Sequence, residues 1–413
     1  MLAALRSPAG SALLTEIGTY DEGGALALGA RLRTRHPAAL VAAAMTQARL
    51  RTRGLGKFGP DAARMWFTPA GLEQATRAEV ATCRAERVAG LGLLAPGDRV
   101  ADLGCGLGAD ALALARAGLQ VLAVERDPLT AALARANAED LGLARRLEVL
   151  LADVTEPDLL NTVIDTCAVV FTDPARRDAR GRRLDPEGWS PPWSWVRALA
   201  PRVPALAAKV APGIAHHAVP PDAQAQWVSV HGDVVEAVVW FGALADGACG
   251  TGSPSRRATL LPGPHELTSV GLVTPAVAAP GRWIYEPDGA VIRAGLVAHV
   301  ATAVDGWLID PTIAYVSADR HVPTPFATAY EVTDVLPFSL KRLRSLLRDR
   351  AVGTVVVKKR GSAIDPDELR RQLRLEGAHA AVVILTRVAG APTVLLARHP
   401  PISSEPSPGR RAR

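Results

Sequence analysis

Between Val100 and Asp110 the chain reads Val-Ala-Asp-Leu-Gly-Cys-Gly-Leu-Gly-Ala-Asp, an apolar run that ends in glycines at 104, 106 and 108. This pattern predicts a buried strand that turns sharply into a helix. Glycine enters the left-handed backbone region freely, and it leaves the turn bare for a ligand lying on it. A chain built on this element is constrained to an α/β fold, a parallel sheet covered by helices on both faces.

Two ligand classes use such a turn. Gly104-x-Gly106-x-x-Ala109 satisfies the loose dinucleotide fingerprint, and Glu125 stands where a ribose-binding acid should follow. Asp102 argues for the other class. A carboxylate at that point repels a pyrophosphate but suits the positive amino and sulfonium end of S-adenosylmethionine (SAM).

Apolar runs at 99–103, 120–124, 147–151, 167–172, 204–210, about 226–231 and 234–241 alternate with helical segments. They predict a Rossmann-like, seven-stranded core over residues 86–245. The last two runs flank His231-Gly232-Asp233, a hairpin signal. A terminal hairpin marks a methyltransferase sheet rather than a dinucleotide one. Asp102, Glu125 and Asp153 then fall at the carboxyl ends of successive strands, the edge at which open α/β sheets bind ligands. Asp102 with Gly104, Gly106 and Gly108 suits the methionine end, Glu125 the two ribose hydroxyls, and Asp153 the adenine amino group. Singly, any of these acids is equally a helix cap or a surface residue; together they point to SAM.

The fourth strand leads into Phe171-Thr-Asp-Pro-Ala-Arg-Arg. Asp173-Pro174 resembles the Asp/Asn-Pro-Pro-aromatic motif of methyltransferases that modify base amino groups. In that motif the side-chain oxygen and a backbone carbonyl accept hydrogen bonds from the target amine and align its lone pair with the methyl group. Here Ala175 and Arg176 replace the second proline and the aromatic. Arg176, Arg177, Arg180, Arg182 and Arg183 crowd the loop beyond, either as a phosphate clamp or as a solvated loop paired with Asp178 and Asp185. Trp189 and Trp193 supply the missing stacking surface or cap a core. His216-His217 reads as a loop pair.

With 413 residues and 48% hydrophobic content, two to four packed domains are expected. The four cysteines are scattered, without a Cys-x-x-Cys pair, which argues against a metal site and suits a reducing cytoplasm. No apolar stretch is long enough for a membrane span, and Ser7, Pro8 and Gly10 interrupt any signal-peptide core. A net charge of +6 reflects either an arginine-rich coding bias or an anionic partner. Residues 1–85 read as helical, with one helix starting at Thr68-Pro69 and carrying Glu73, Gln74 and Glu79. Residues 246–264 read as a linker and 265–331 as a small α+β domain. In 332–399 a helix at 339–350, a strand at 352–358, a helix at 366–376 and strands at 380–387 and 392–397 are expected. Residues 400–413 read as a disordered tail.

Phe67-Thr-Pro-Ala-Gly-Leu-Glu-Gln-Ala-Thr, the glycine turn, Thr172-Asp-Pro-Ala-Arg-Arg and Tyr285-Glu-Pro-Asp-Gly-Ala-Val-Ile-Arg-Ala-Gly-Leu together resemble a bacterial family of class I SAM-dependent methyltransferases with a C-terminal THUMP-like domain. The resemblance spans about residues 50–398. It implies an N-terminal helical domain, the methyltransferase core, a ferredoxin-like domain and the THUMP-like module. A more distant similarity to cap trimethylguanosine synthases implies that Glu73, Gln74 and Thr76 help to cover SAM. THUMP domains bind RNA, typically tRNA. On the THUMP-like module Lys341, Arg342, Arg344 and Arg348, then Lys358, Lys359 and Arg360, then Arg370, Arg371 and Arg374 offer basic sites for a phosphate backbone, or form an ordinary arginine-rich surface. The expected activity is methylation of a base nitrogen in tRNA or rRNA. Two other readings fit the same residues: a small-molecule or protein acceptor, and a non-catalytic RNA-binding assembly factor that retains SAM.

Overall fold

In the computed structural model the apolar runs form a parallel sheet. Its first strands are β1 (Arg99–Leu103), β2 (Gln120–Glu125), β3 (Leu147–Leu151) and β4 (Cys167–Thr172). A two-strand ladder, β5 (Arg177–Asp178) and β6 (Gly181–Arg182), precedes β7 (Ala205–Val210). The order β3-β2-β1-β4-β7 is parallel throughout. The hairpin follows as β8 (Gln224–Val230) and β9 (Asp233–Gly242), with β9 antiparallel to β7. His231 and Gly232 make its turn at φ 51° and 90°, the left-handed pair that a two-residue turn between twisted strands requires.

The structure describes residues 1–90, 92, 94–95, 98–175, 177–178, 181–182, 185–246, 254–269 and 273–400, with the backbone alone at 177–178 and 181–182. Part of the expected linker is strand: β10 (Ser255–Leu261) pairs with β11 (His265–Thr268). The expected seven strands are present in the order β3-β2-β1-β4-β7-β9-β8, and among the described residues β10 and β11 extend the same sheet to nine. Ala258, Leu260 and Leu261 give β10 enough buried apolar surface to order it. Residues 247–253 lie outside the described set, as do 401–413 of the expected tail.

The chain divides into two compact units, Met1–Gln226 with Glu236–Ser255, and Trp227–Val235 with Arg256–Arg413. In the first, helices at Pro8–Ile17, Ala25–Arg33, Ala38–Phe58 and Ala78–Gly90 share one core with the sheet; Leu13, Leu32, Leu50 and Phe67 join Leu112, Leu114, Val121 and Phe171. Asn137, fully buried, ties them together. Its Oδ1 accepts from the Trp66 amide (2.7 Å), and its Nδ2 donates to the carbonyls of Trp66 (3.3 Å) and Leu107 (3.0 Å).

The helix expected from Thr68 is two helices, Pro69–Gln74 and Ala78–Gly90. Lys57 explains the break. Its Nζ donates to the carbonyls of Leu72 (2.8 Å), Glu73 (2.6 Å) and Ala75 (2.9 Å), satisfying the orphan acceptors of a helix end.

The second unit holds β12 (Trp283–Pro287), β13 (Trp307–Leu308), β14 (Val316–Ala318), β15 (Ala327–Pro337), β16 (Val352–Lys359), β17 (His379–Val388) and β18 (Ala391–Arg398). They form one sheet, ordered β13-β14-β12-β15-β18-β17-β16. Helices Leu340–Asp349 and Pro366–Leu373 bury Leu343, Leu347, Leu369 and Leu373 against Val383, Leu385, Val394 and Leu396. Arg374 turns left-handed (φ 49°), ending the second helix before residue 376. The boundary expected at 331/332 falls inside β15, because this long strand pairs with β12 on one side and β18 on the other.

Candidate active site

β1 delivers Asp102 to the carboxyl edge of the sheet, where it is only 1% exposed. Among the described residues neither of its carboxylate oxygens has a hydrogen-bond partner of normal geometry. A buried carboxylate left so is costly unless a proton or a cation answers it. Burial above all, then the neighbouring Asp173 charge, push its pKa up to about 7, against the weaker pull of Arg84, Lys209 and the Ala111 amide. The residues fit a cationic ligand.

The glycine turn beyond Asp102 has φ of 87°, 56° and 87° at Gly104, Gly106 and Gly108. A side chain on Gly106 would meet no atom within 4 Å, so the turn presents open backbone there. At Gly104 a Cβ would stand 3.3 Å from the Asp173 carbonyl oxygen. Glu125 closes β2, accepting from the Gly106 amide (3.0 Å) and the Asp127 amide (2.9 Å), one at each oxygen. Each oxygen keeps a further lone pair for a hydroxyl. Asp153 accepts from the Thr155 amide (2.9 Å) and hydroxyl (2.7 Å), which hold its pKa below the usual carboxylate range.

Asp173 follows β4, and its amide donates to Leu103 (3.3 Å). Its side chain is 27% exposed, while Pro174 is buried. A chain of buried polar groups reaches it from inside the first unit. Lys209 Nζ, on β7, donates to Asp173 Oδ2 (2.7 Å) and to Thr76 Oγ1 (2.9 Å). Thr76 Oγ1 donates to Asp110 Oδ2 (2.7 Å), and Arg84 joins Asp110 to Glu236 while lying over the Phe171 ring. The sequence reading missed Lys209, Asp110, Arg84 and Glu236. One signal was present: a lysine inside the apolar run Ala205-Leu-Ala-Ala-Lys-Val, every residue of which is buried.

Other expected site residues are placed differently. Trp189 and Trp193 are 4% and 3% exposed. They pack edge to face at 6.4 Å, Trp193 continues onto Phe241, and its indole donates to the Ala218 carbonyl (3.1 Å). They are core residues and offer no stacking surface to a base. Thr76 is buried with its hydroxyl committed to Asp110 and Lys209, whereas Glu73 and Gln74 are exposed at the end of helix Pro69–Gln74. Gly71 of that helix faces Leu107 of the glycine turn so closely that a Cβ would stand 2.8 Å from it. Arg176 lies outside the described residues, and Arg177 has only its backbone described.

In the second unit, Lys358 pairs with Glu286 (3.0 Å), and Arg360 approaches the same carboxylate (3.9 Å) and lies over Tyr315. Of this trio only Lys359 is exposed. Arg344 donates to the Gln372 carbonyl, and Arg370 and Arg371 pair with Asp367 and Glu368. Lys341, Arg342 and Arg348 are exposed without an ion pair among the described residues.

No helix among the described residues is long and apolar enough to cross a membrane, and none of their acid, histidine and cysteine groups is arranged to hold a metal ion.

Residues 100–180 match a methyltransferase-domain family, 327–399 a THUMP-domain-like family, and 1–54 a domain family of unknown function. An S-adenosylmethionine-dependent methyltransferase of Mycobacterium tuberculosis (strain ATCC 25618 / H37Rv), itself described as uncharacterized, is 35% identical over 352 residues, covering 82% of this chain and 90% of that protein. Shorter stretches match the 23S rRNA (uracil(1939)-C(5))-methyltransferase of Acidithiobacillus ferrooxidans, 46% identical over 15% of this chain and 14% of that one. They also match the ribosomal RNA small subunit methyltransferase J of Actinobacillus pleuropneumoniae, 40% identical over 18% and 32%. A crystal structure from Porphyromonas gingivalis W83, classed as a methyltransferase, superposes with a TM-score of 0.69 at 21% identity, over 92% of this chain and 99% of that one, and shows the same fold. With its glycine turn, its orphaned acid and a relative matched over nearly its whole length, the chain belongs to the SAM-dependent methyltransferases that carry a C-terminal THUMP-like domain.

Proposed function

We propose that this methyltransferase modifies a nitrogen of an RNA base. The observation that carries the reading is the position of Asp173. Its carbonyl lies against Gly104, its charge acts on the buried Asp102, and its side chain is partly open to solvent. An amine held by Asp173 is therefore held beside the end of the turn suited to the methionine moiety. In this reading Asp102 takes the ammonium group, Gly104, Gly106 and Gly108 clear the backbone beneath it, Glu125 accepts the ribose hydroxyls and Asp153 the adenine amine. Glu73 and Gln74 cover the cofactor, and Thr76 acts indirectly, through Lys209. SAM supplies the activated methyl group. The chain itself contributes placement: the free oxygen of Asp173 and the Pro174 carbonyl accept the two N–H bonds of the acceptor and turn its lone pair toward the methyl carbon.

An RNA acceptor is supported by the THUMP-like match and by the rRNA methyltransferases among the partial relatives. On the THUMP-like module the exposed Lys341, Arg342, Arg348 and Lys359 remain available to phosphates. The test is incubation with methyl-labelled SAM and total RNA and protein from a strain lacking the gene. Label in a nuclease-sensitive fraction that disappears with Asp173→Ala is the expected result. SAM binding with label only in protein or small molecules, or with none at all, overturns the reading.

A further inference from the structure

We infer that Lys209 is the positioning residue for Asp173: it is the counter-ion that allows an aspartate, rather than a neutral asparagine, to receive the methyl acceptor. This inference rests on the reading of Asp173 given above.

The motif that Asp173-Pro174 resembles accepts Asp or Asn, and the two differ in charge and so in what they require around them. An amide is neutral and needs no partner. A carboxylate beside the buried carboxylate of Asp102 is a like-charge pair, and a cation held on one of the two leaves the proton to the other. Lys209 is that cation. It is only 5% exposed, it sits one residue from the end of β7, and it holds Asp173 Oδ2 at 2.7 Å. Its ammonium is fixed from behind by Thr76, whose own proton goes to Asp110, so the polarity of the chain is set: Lys209 donates to Thr76, and Thr76 to Asp110. Asp110 is anchored through Arg84 to Glu236. The arrangement occupies one oxygen of Asp173 with a cation and leaves Oδ1 to accept an N–H. A protonated Asp173 would present a donor to the amine and misalign it.

Among the described residues, charged groups on four other elements are linked to this pair. Asp102 is on β1, Arg84 and Asp110 are on the helices at 78–90 and 109–116, and the Lys209 charge reaches Lys57 on helix Ala38–Phe58.

The test compares Lys209→Met, Lys209→Arg and the double variant Asp173→Asn/Lys209→Met with the unaltered full chain. Calorimetric affinity for SAM is measured across pH 5.5 to 9, thermal melts check folding, and labelled transfer is read on total RNA from a strain lacking the gene. Lys209→Met should raise the pH midpoint of SAM binding by about one unit and lower transfer by about 100-fold. The double variant should bring the midpoint back and recover at least about tenfold in transfer, since a neutral amide needs no counter-ion. Lys209→Arg should fall between. An unchanged midpoint in Lys209→Met overturns the inference. So does a double variant that melts and binds SAM like the unaltered protein but transfers no better than Lys209→Met. Absence of RNA label with the unaltered protein rejects the RNA reading alone, because the SAM midpoints still decide the role of Lys209.

Discussion

Replacing Asp102 with Asn should stabilise the SAM-free protein while destroying its ability to bind SAM. An acid whose folded-state pKa lies above its unfolded value contributes nothing below the unfolded pKa, where both states are protonated. Between the two values the unfolded chain releases the proton and the folded one retains it, so stability falls as pH rises. The interval from 3.8 to about 7 for Asp102 amounts to about 4 kcal/mol at 1.36 kcal/mol per pH unit. Asparagine has no such titration. The stability advantage of Asp102→Asn should therefore grow from pH 4 to pH 7 by about 4 kcal/mol and be constant above. Acids with depressed pKa, such as Asp153, contribute in the opposite direction, but they are common to both proteins and cancel in the difference. Urea unfolding at half-unit pH steps, without SAM, gives the curve. Calorimetry on the same samples should show SAM affinity of the unaltered protein falling about tenfold per unit below pH 7 and level above, and at least a 100-fold loss in the variant. A stability difference that stays flat from pH 4 to 8 would show that Asp102 is not held protonated in the folded state. Undiminished SAM affinity in the variant would remove the cofactor assignment.

Three further perturbations separate structure from function. Arg84→Met strands Asp110 and Glu236 as buried carboxylates and should cost about 3–5 kcal/mol in urea unfolding; an unchanged midpoint would refute the buried ion pairs. Gly106→Ala meets no neighbour but sits at φ 56°, so it should cost about 1–2 kcal/mol in stability while lowering SAM affinity more than tenfold. Equal affinities would mean that no ligand lies on the turn. Charge reversal of Lys341, Arg342 and Lys359 should reduce the salt slope of RNA binding by about 0.7–0.9 for each phosphate that is no longer neutralised. Reversal of Lys358, already paired with Glu286, should mainly affect stability. The proposed interface fails if the two sets change the slope alike.

What the sequence made legible was what short stretches decide on their own. The strands from 99–103 to 234–241 appear within two residues of their expected bounds, since each is an apolar run stopped by a turn. The same is true of the hairpin at His231-Gly232 and of the strands of the THUMP-like module. The misreadings arose where a partner distant in the chain decides the outcome. Nothing local to Thr68–Gly90 announces that Lys57 will cap three carbonyls and split the helix. Lys358 and Arg360 look like free phosphate ligands until β12 brings Glu286 to them. Trp189 and Trp193 were ambiguous beside their prolines, and the contact with Phe241 on β9 decides for the core. The polar chain behind Asp173 draws Thr76, Arg84, Asp110, Lys209 and Glu236 from separate elements, so no motif of fixed spacing could record it.

Burial is the first cause of the raised Asp102 pKa, and the charges of that chain add to it through Asp173. Among the described residues, Asp102, Asp110, Asp173 and Glu236 are four carboxylates in or beside the buried network, and Arg84 and Lys209 are its two cations, a shortfall of two positive charges. Arg84 and Lys209 are already engaged by the other three acids, which leaves Asp102 as the acid without an ion pair. Without ligand the cheapest remedy is a proton on Asp102, which is the state its raised pKa describes. SAM brings an ammonium and a sulfonium, whereas S-adenosylhomocysteine, left after transfer, has lost the sulfonium charge. A site short of positive charge therefore favours the cofactor over its product, and the preference should shrink as Asp102 is protonated. SAM and S-adenosylhomocysteine affinities measured at pH 8 and pH 6 should converge at the lower pH. A discrimination that is the same at both would show that Asp102 does not sense the charge of the ligand.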